Sequence, residues 1–283
     1  NGNKIIHYFL FTKGLNMTNE IYVLARVIEL FDLNNKAVVI TGSSRGIGKE
    51  MALCFAERGA KVIISSRNLE SCLKLEKIIL AKGGVAKSFE CNISSKIECE
   101  NLIDFCVRSF GKIDTLICNA ASNPYYGDLA NIPDDAFDKI MNNNVKSNLW
   151  LCKKSITYLK KNKRSSIIIV SSIAGLQGVK NLGAYSISKT ADLGLIRSLA
   201  VELGEFNITV NGLCPGIIKT DFARALWENP KTLKIVQEYA PLGRIGTTKE
   251  VAGAAVLLAS KAGSFITGQV ITMDGGVTIA GRG

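Results

Sequence analysis

Seven short runs rich in β-branched residues recur along this chain, each separated from the next by a segment long enough for a helix. They are "KAVVITG" (36–42), "AKVIISSR" (60–67), "GVAKSFEC" (84–91), "IDTLICNA" (113–120), "SSIIIVSS" (165–172), "NITVNGLCPG" (207–216) and "GQVITMDGG" (268–276). Strands buried on both faces read as near-continuous apolar runs, and parallel neighbours need a long, usually helical crossover. The alternation therefore predicts an α/β fold, a single doubly wound parallel seven-stranded sheet with helices on both faces. No internal repeat, low-complexity tract or Pro/Gly-rich linker divides the chain after Lys36. Residues 34–283 are thus expected to form one catalytic-sized domain. Residues 1–33 are expected to be an extension, of which 17–33 is an amphipathic lead-in and 1–16, ahead of Met17, lies outside the fold.

Residue inventory removes several function classes. The eight cysteines are scattered with no CxxC pair, and the sole histidine is His7. A His-based triad and a clustered metal site are therefore excluded, and the thiols are expected to be reduced in a cytoplasmic protein. No metal is expected. The formal charge of +11 is dispersed, with "KKNKR" (160–164) its densest run, so a solvated basic surface is expected and a nucleic-acid face is not. The longest apolar stretches, such as "SSIIIVSSIAGL", are too short and interrupted to cross a bilayer.

"ITGSSRGIGKEMALCFAERGA" puts Gly42, Gly46 and Gly48 where the first strand turns into a helix. Glycines there let the backbone approach a pyrophosphate, and the helix N-terminus offers free N–H groups. The spacing is GxxxGxG. Dinucleotide folds that take NAD place an acid at the end of the second strand to hold the ribose 2′-hydroxyl, whereas arginine suits a 2′-phosphate. Here that strand ends "IISSRN", with Arg67 and no acid, and Arg45 lies inside the glycine turn. Two guanidiniums can bind a phosphate in forked geometry, so NADP(H) is expected as cofactor.

"AYSISKTADLGLI" sets Tyr185 and Lys189 four residues apart, hence on one helix face. Just upstream, Ser172 ends the fifth strand, and open α/β sheets bind ligands at carboxyl strand ends. A phenol is ordinarily too weak an acid to shuttle protons at neutral pH. An ammonium about 4 Å away favours the phenolate by about 4 kcal/mol at an effective dielectric of ~20, before solvent and lysine desolvation reduce it. Tyr185 is thereby expected to protonate a carbonyl oxygen that receives hydride.

"TGSSRGIG", "NAA" (119–121), "NNNVKSN", "VSSIAG", "YSISK", "CPGIIKT" and "ITMDGG" stand in an order and spacing that resembles the short-chain dehydrogenase/reductases, from about Leu33 to Val277. The resemblance implies a Rossmann-type fold. It implies Tyr185 as acid/base, Lys189 as its ribose-binding partner, Ser172 as the hydroxyl that steadies the substrate oxygen, and Asn144 as holder of a water that links the lysine to solvent. Around the cofactor it implies Gly42, Ser44, Arg45, Gly46, Ile47 and Gly48 in the first turn. It adds Asn92, Ile93, Asn119, Ala120 and Ala121 at the third and fourth strand ends, and Pro215, Gly216, Ile218 and Thr220 after the sixth. Two departures are Ala121, where the family usually has glycine, and Asn92, where an acid is common; both bear on cofactor binding more than on chemistry.

Within that family the chain most resembles the NADPH-dependent carbonyl and retinal reductases of the dehydrogenase/reductase member 4 group. Its peroxisomal members end in Ser-Lys-Leu; this sequence ends "IAGRG", so cytoplasm is expected. The expected activity is NADPH-dependent reduction of ketones or aldehydes. The alternatives are a 3-oxoacyl-acyl-carrier-protein reductase and a non-catalytic NADP-binding sensor. Residues 217–246 read as a substrate lid, with Phe222, Leu226 and Trp227 as an apolar roof. Asn123, Tyr125, Tyr126, Leu176 and Gln177 face it as the pocket, while Arg224, Lys231 and Lys234 would meet an acidic carrier protein. The family implies a homotetramer paired through two long helices, about 134–161 and 183–205, and a small-molecule partner with neither nucleic acid nor membrane.

Overall fold

The structure is a computed structural model and describes residues 19–280. Seven strands build one sheet: β1 (Ala37–Thr41), β2 (Lys61–Ser66), β3 (Val85–Glu90), β4 (Thr115–Cys118), β5 (Ser165–Val170), β6 (Ile208–Pro215) and β7 (Val270–Met273). All pair in parallel, in the order β3-β2-β1-β4-β5-β6-β7. The order reverses between β1 and β4, which leaves a crevice at their carboxyl ends. The principal helices are α1 (Asn19–Leu30), α2 (Gly46–Glu57), α3 (Leu69–Ala81), α4 (Lys96–Phe110), α5 (Asp134–Met141), α6 (Ser147–Leu159), α7 (Gly183–Leu203), α8 (Pro230–Tyr239) and α9 (Thr248–Ala259). Residues 1–16, expected to lie outside the fold, and His7 among them, fall outside the described residues.

Alternate strand residues point to opposite faces and feed two cores. Val38 and Ile40 of β1 pack with Met51 and Phe55 of α2, Leu75 of α3 and Val251 of α9. Ala37 and Val39 pack on the other side with Leu102 of α4, Leu151 of α6 and Ile196 of α7. The central strands β1, β2, β4, β5 and β6 are therefore buried on both faces, while the edge strands β3 and β7 are partly exposed. Among the described residues no helix is long and apolar enough to cross a membrane, and no cluster of three or more His, Cys, Asp or Glu could hold a metal ion.

The long helix expected over about 134–161 carries a π-helical turn at Asn142–Lys146. There, Ser147 Oγ donates to the Asn143 carbonyl at 2.6 Å and Asn148 Nδ2 to the Asn144 carbonyl at 2.7 Å. Side chains thus occupy the carbonyls that the widened turn offers.

At the amino edge of the sheet, buried Asp114 ties β1 to β4. Its carboxylate accepts the Ala37 backbone N–H at 2.9 Å and pairs with Lys36 at 3.0 Å and Lys112 at 2.9 Å. Asp114→Ala leaves a buried N–H without an acceptor and should cost about 1–3 kcal/mol, read as a lower urea midpoint. Lys112→Ala, which removes a partly exposed charge, should cost under about 1 kcal/mol in the same assay.

Candidate active site

The carboxyl ends of β1 and β4 meet at the glycine turn. Thr41 Oγ1 accepts the backbone N–H groups of Asn119 and Ala120, each at 3.0 Å, and Asn119 Nδ2 donates to the carbonyls of Thr41 (2.8 Å) and Gly42 (3.1 Å). This leaves no room for a side chain at position 48. A Cβ there would run into the Gly42 carbonyl and come within 2.7 Å of the Asn119 amide. Arg45 is the N-cap residue of α2 but its side chain makes no capping bond, so the first N–H groups of the helix face the crevice without a side-chain acceptor. Thr220 lies against the same turn, its Cγ2 3.5 Å from where a Gly46 Cβ would stand. A bare backbone cradle at an uncapped helix N-terminus fits a pyrophosphate.

On the adjacent strand ends stand Arg67 after β2 and Asn92 after β3, with Ile93 half-buried beside it. Arg45 and Arg67 are exposed, and among the described residues neither guanidinium has an ion-pair partner. Asn92 is more committed. Its Oδ1 accepts the Ser94 N–H at 3.1 Å, and its N–H donates to Glu98 Oε2 at 2.8 Å.

The asparagine run at the π turn pins the rim together. Asn143 accepts from Ser94 Oγ (2.7 Å) and donates to Ser122 Oγ (2.9 Å), which joins the loops after β3 and β4. Asn144 is fully buried. Its Oδ1 accepts the Ser122 N–H at 2.8 Å, and its Nδ2 donates to the Ser122 carbonyl and to Ser188 Oγ of α7, both at 3.0 Å. Ser188 Oγ in turn donates to the Tyr185 carbonyl at 2.7 Å. The first turns of α7 are therefore tied to the loop that follows β4.

Ser172 follows the carboxyl end of β5, and Lys189 of α7 reaches the same strand end. Ser171 Oγ donates to the Lys189 carbonyl at 2.8 Å, and the turn Ile173–Gly175 lies so close to α7 that a Cβ on Gly175 would stand 2.7 Å from Lys189 backbone atoms. Ser172 Oγ accepts the Ala174 N–H at 3.1 Å, which orients the hydroxyl group. The Lys189 ammonium is 5.8 Å from the Tyr185 ring centroid, 1% exposed, and donates to the Val170 carbonyl at 2.9 Å.

Lys189 also pairs with a residue that sequence reasoning passed over. Its Nζ donates to Asp192 Oδ2 at 3.0 Å, and Asn148 Nδ2 donates to Asp192 Oδ1 at 2.9 Å. Burial opposes the charge on Lys189, yet the Asp192 carboxylate and the Tyr185 oxygen outweigh it and hold the ammonium above the usual lysine range. For Asp192, burial wins over the nearby ammonium and pushes the carboxyl above its usual range. The signal was present in "SKTADLG": an acid three residues after a lysine shares its helix face.

At the mouth, the loop after β4 meets the segment before α7, where the Gly127 N–H donates to the Asn181 carbonyl at 3.0 Å. Tyr125 Oη is spent on the Asp128 carbonyl at 2.9 Å, while Tyr126, Leu176 and Gln177 are exposed. Asn123 Oδ1 is buried and has no hydrogen-bond partner among the described residues. In the 217–246 segment, Trp227 Nε1 donates to the Thr220 carbonyl at 2.8 Å and Phe222 is 63% exposed.

A family model described as Enoyl-(Acyl carrier protein) reductase matches residues 42–278, from the glycine turn past the end of β7. The chain belongs to the short-chain dehydrogenase/reductase family. Dehydrogenase/reductase SDR family member 4 of Bos taurus is 38% identical over 244 residues, 86% of this chain and 88% of that one. A 7α-hydroxysteroid dehydrogenase solved with NADH and 7-oxo glycochenodeoxycholic acid superposes with a TM-score of 0.84 at 33% identity, covering 88% of this chain and 96% of that one. A gluconate 5-dehydrogenase from Burkholderia cenocepacia, solved with NADP and tartrate, gives a TM-score of 0.86 at 28% identity, covering 90% and 99%. As a short-chain dehydrogenase/reductase, the chain is an oxidoreductase that acts on CH–OH/C=O groups of small molecules with an NAD(P)(H) cofactor.

The glycine cradle yields a direct test. Gly48→Ala forces the Gly42 carbonyl or the Asn119 amide to move, so dinucleotide affinity should fall by about tenfold or more, measured by calorimetric titration on a variant whose folding is checked by thermal unfolding.

Proposed function

We propose that this short-chain dehydrogenase/reductase reduces ketones or aldehydes with NADPH, and that Tyr185 supplies the proton to the carbonyl oxygen. The observation that supports the reading is a buried Lys189 that stands 5.8 Å from the Tyr185 ring and donates to the Val170 carbonyl at the end of β5, two residues before Ser172. Gly42, Ser44, Gly46, Ile47, Gly48, Asn119, Ala120 and Ala121 would hold the dinucleotide on the β1 and β4 side. Asn92 and Ile93 would close its adenine end, and Pro215, Gly216, Ile218 and Thr220 would cover it from β6. The reduced nicotinamide supplies hydride when bound.

The rest of the chemistry belongs to this chain's residues. The Ser172 hydroxyl would hold the substrate carbonyl oxygen, which aims the carbonyl carbon and polarises it. Tyr185 would give that oxygen its proton as negative charge develops there, and the Lys189 ammonium would stabilise the phenolate left behind. Asn144 would fix the start of α7 through Ser122 and Ser188, and so the position of Tyr185. Arg45 and Arg67, without acidic partners among the described residues, support NADP over NAD because a 2′-phosphate needs unspent cations.

The apolar Phe222, Leu226 and Trp227 support the 217–246 segment as a lid over an aliphatic or aromatic substrate. The carrier-protein alternative draws less support, because two of its three candidate cations are already paired. Arg224 meets Asp221 at 2.7 Å and Glu228 at 3.6 Å, and Lys234 meets Glu238 at 3.9 Å. Exposed Leu149 of α6 and Ile187 and Val201 of α7 support assembly into a homotetramer through these helices. Eight free thiols, seven of them buried, suit the cytoplasm.

Tyr185→Phe should lower kcat/KM for ketone reduction by about 100-fold or more while NADPH still binds; a variant that turns over normally removes Tyr185 from this role. Arg67→Asp should swing preference toward NADH in paired kcat/KM measurements, and unaltered preference for NADPH would assign the 2′-phosphate elsewhere.

A further inference from the structure

We infer that Asp192 is a positioning residue for the reaction: a buried counter-charge that keeps Lys189 protonated and anchored beside Tyr185. The inference rests on the roles proposed for Tyr185 and Lys189. Asp192 is fully buried on α7, one turn beyond Lys189, and its two carboxylate oxygens are divided between two donors. Oδ2 takes the ammonium at 3.0 Å and Oδ1 takes the Asn148 amide at 2.9 Å. The same Asn148 amide nitrogen donates to the Asn144 carbonyl at 2.7 Å, so the chain Lys189, Asp192, Asn148, Asn144 is a continuous buried run of hydrogen bonds from α7 to the π turn.

A counter-charge at this place has a defined consequence. Lys189 is 1% exposed, and its other protein acceptor is the neutral Val170 carbonyl. Removed from water, an ammonium with neutral acceptors alone loses its proton readily. The titratable groups that act on the pair are Tyr185 on α7, Cys118 on β4 and Cys214 on β6, with Cys152 on α6 hydrogen-bonded to Cys118. Hydrogen bonding with Cys152 and burial push the Cys118 thiol up, and burial pushes the Cys214 thiol up, so both stay uncharged. Neither of these two thiols can replace the carboxylate as a negative partner near neutral pH. Asp192 also pulls Nζ toward α6, where Asn148 holds the carboxylate in place. Asp192, itself held by Asn148, therefore fixes the position of Lys189 and supplies the carboxylate that favours its charge.

The reaction as proposed needs Lys189 as the ammonium, and a nearby negative charge makes it hold its proton to higher pH. Asp192→Asn, of nearly the same shape, removes that charge. The alkaline limb of kcat/KM for ketone reduction should then move to lower pH by about one unit or more, and Asp192→Glu should restore most of the shift. Coincident profiles for the wild type and Asp192→Asn would overturn the inference. A second readout needs no turnover: in the wild-type protein without nucleotide, the 13Cε lysine resonance absent from Lys189→Met should stay in its ammonium form to above the ordinary lysine range. A resonance that titrates below that range would overturn the inference even if Asp192→Asn failed to fold. Tyr185→Phe separates the two levels, since turnover surviving in that variant would sink the proposed acid, whereas its loss beside an unshifted Asp192→Asn profile would sink the role of Asp192 alone.

Discussion

Because all seven strands run in one direction, each delivers its carboxyl end to the same rim of the sheet, and every chemically equipped loop of the chain is forced into one neighbourhood. Parallel pairing also demands that both sheet faces be covered by helices, which accounts for the two cores and for strands with no polar face. The reversal of strand order between β1 and β4 opens the only kind of gap such a layout allows, and the Thr41–Asn119 hydrogen bonds hold its two sides at a fixed separation. The bare Gly48 position follows from that closeness, since the two loops already touch through backbone and amide.

A rim made of loops is a poor platform unless something stiffens it. Here the work falls to asparagines and serines. Asn143 and Asn144, at a widened helical turn, bind the loops after β3 and β4 and reach α7 through Ser188. Ser171 and Gly175 bring the end of β5 against the same helix. Lys189 is the most buried cation in this arrangement, and the Asp192–Asn148 pair offsets the desolvation that would otherwise strip its charge. Binding geometry and electrostatics are thus maintained by the same small set of polar side chains.

Strands and their sheet faces were readable because two-sided burial leaves a local signature, an unbroken apolar run such as "SSIIIV" or "AVVIT". The glycine turn and the Tyr185–Lys189 spacing were equally local: one needs a bare backbone within a few residues, the other a single helical turn. The π turn escaped because no breaker marks it, and the Ser147 and Asn148 side chains that take carbonyls four residues back leave no pattern in the spacing. Asp192 escaped for a different reason. An acid on a helix is ordinarily a solvated charge, and nothing in "KTADLG" shows that this face points inward at Lys189 and Asn148.

By itself, the sequence determined the class of sheet, the turn that can admit a pyrophosphate, and the presence of a phenol, an ammonium and a hydroxyl in register with strand ends. These depend on periodicity and spacing, which are properties of neighbours along the chain. The tertiary structure alone decided which polar groups are buried together. Asn148 and Asp192 are 44 positions apart and meet only because α6 and α7 cross the same face of the sheet. Burial there converts an ordinary acid into a close partner of Lys189, for a charge removed from water must find its opposite within hydrogen-bond reach.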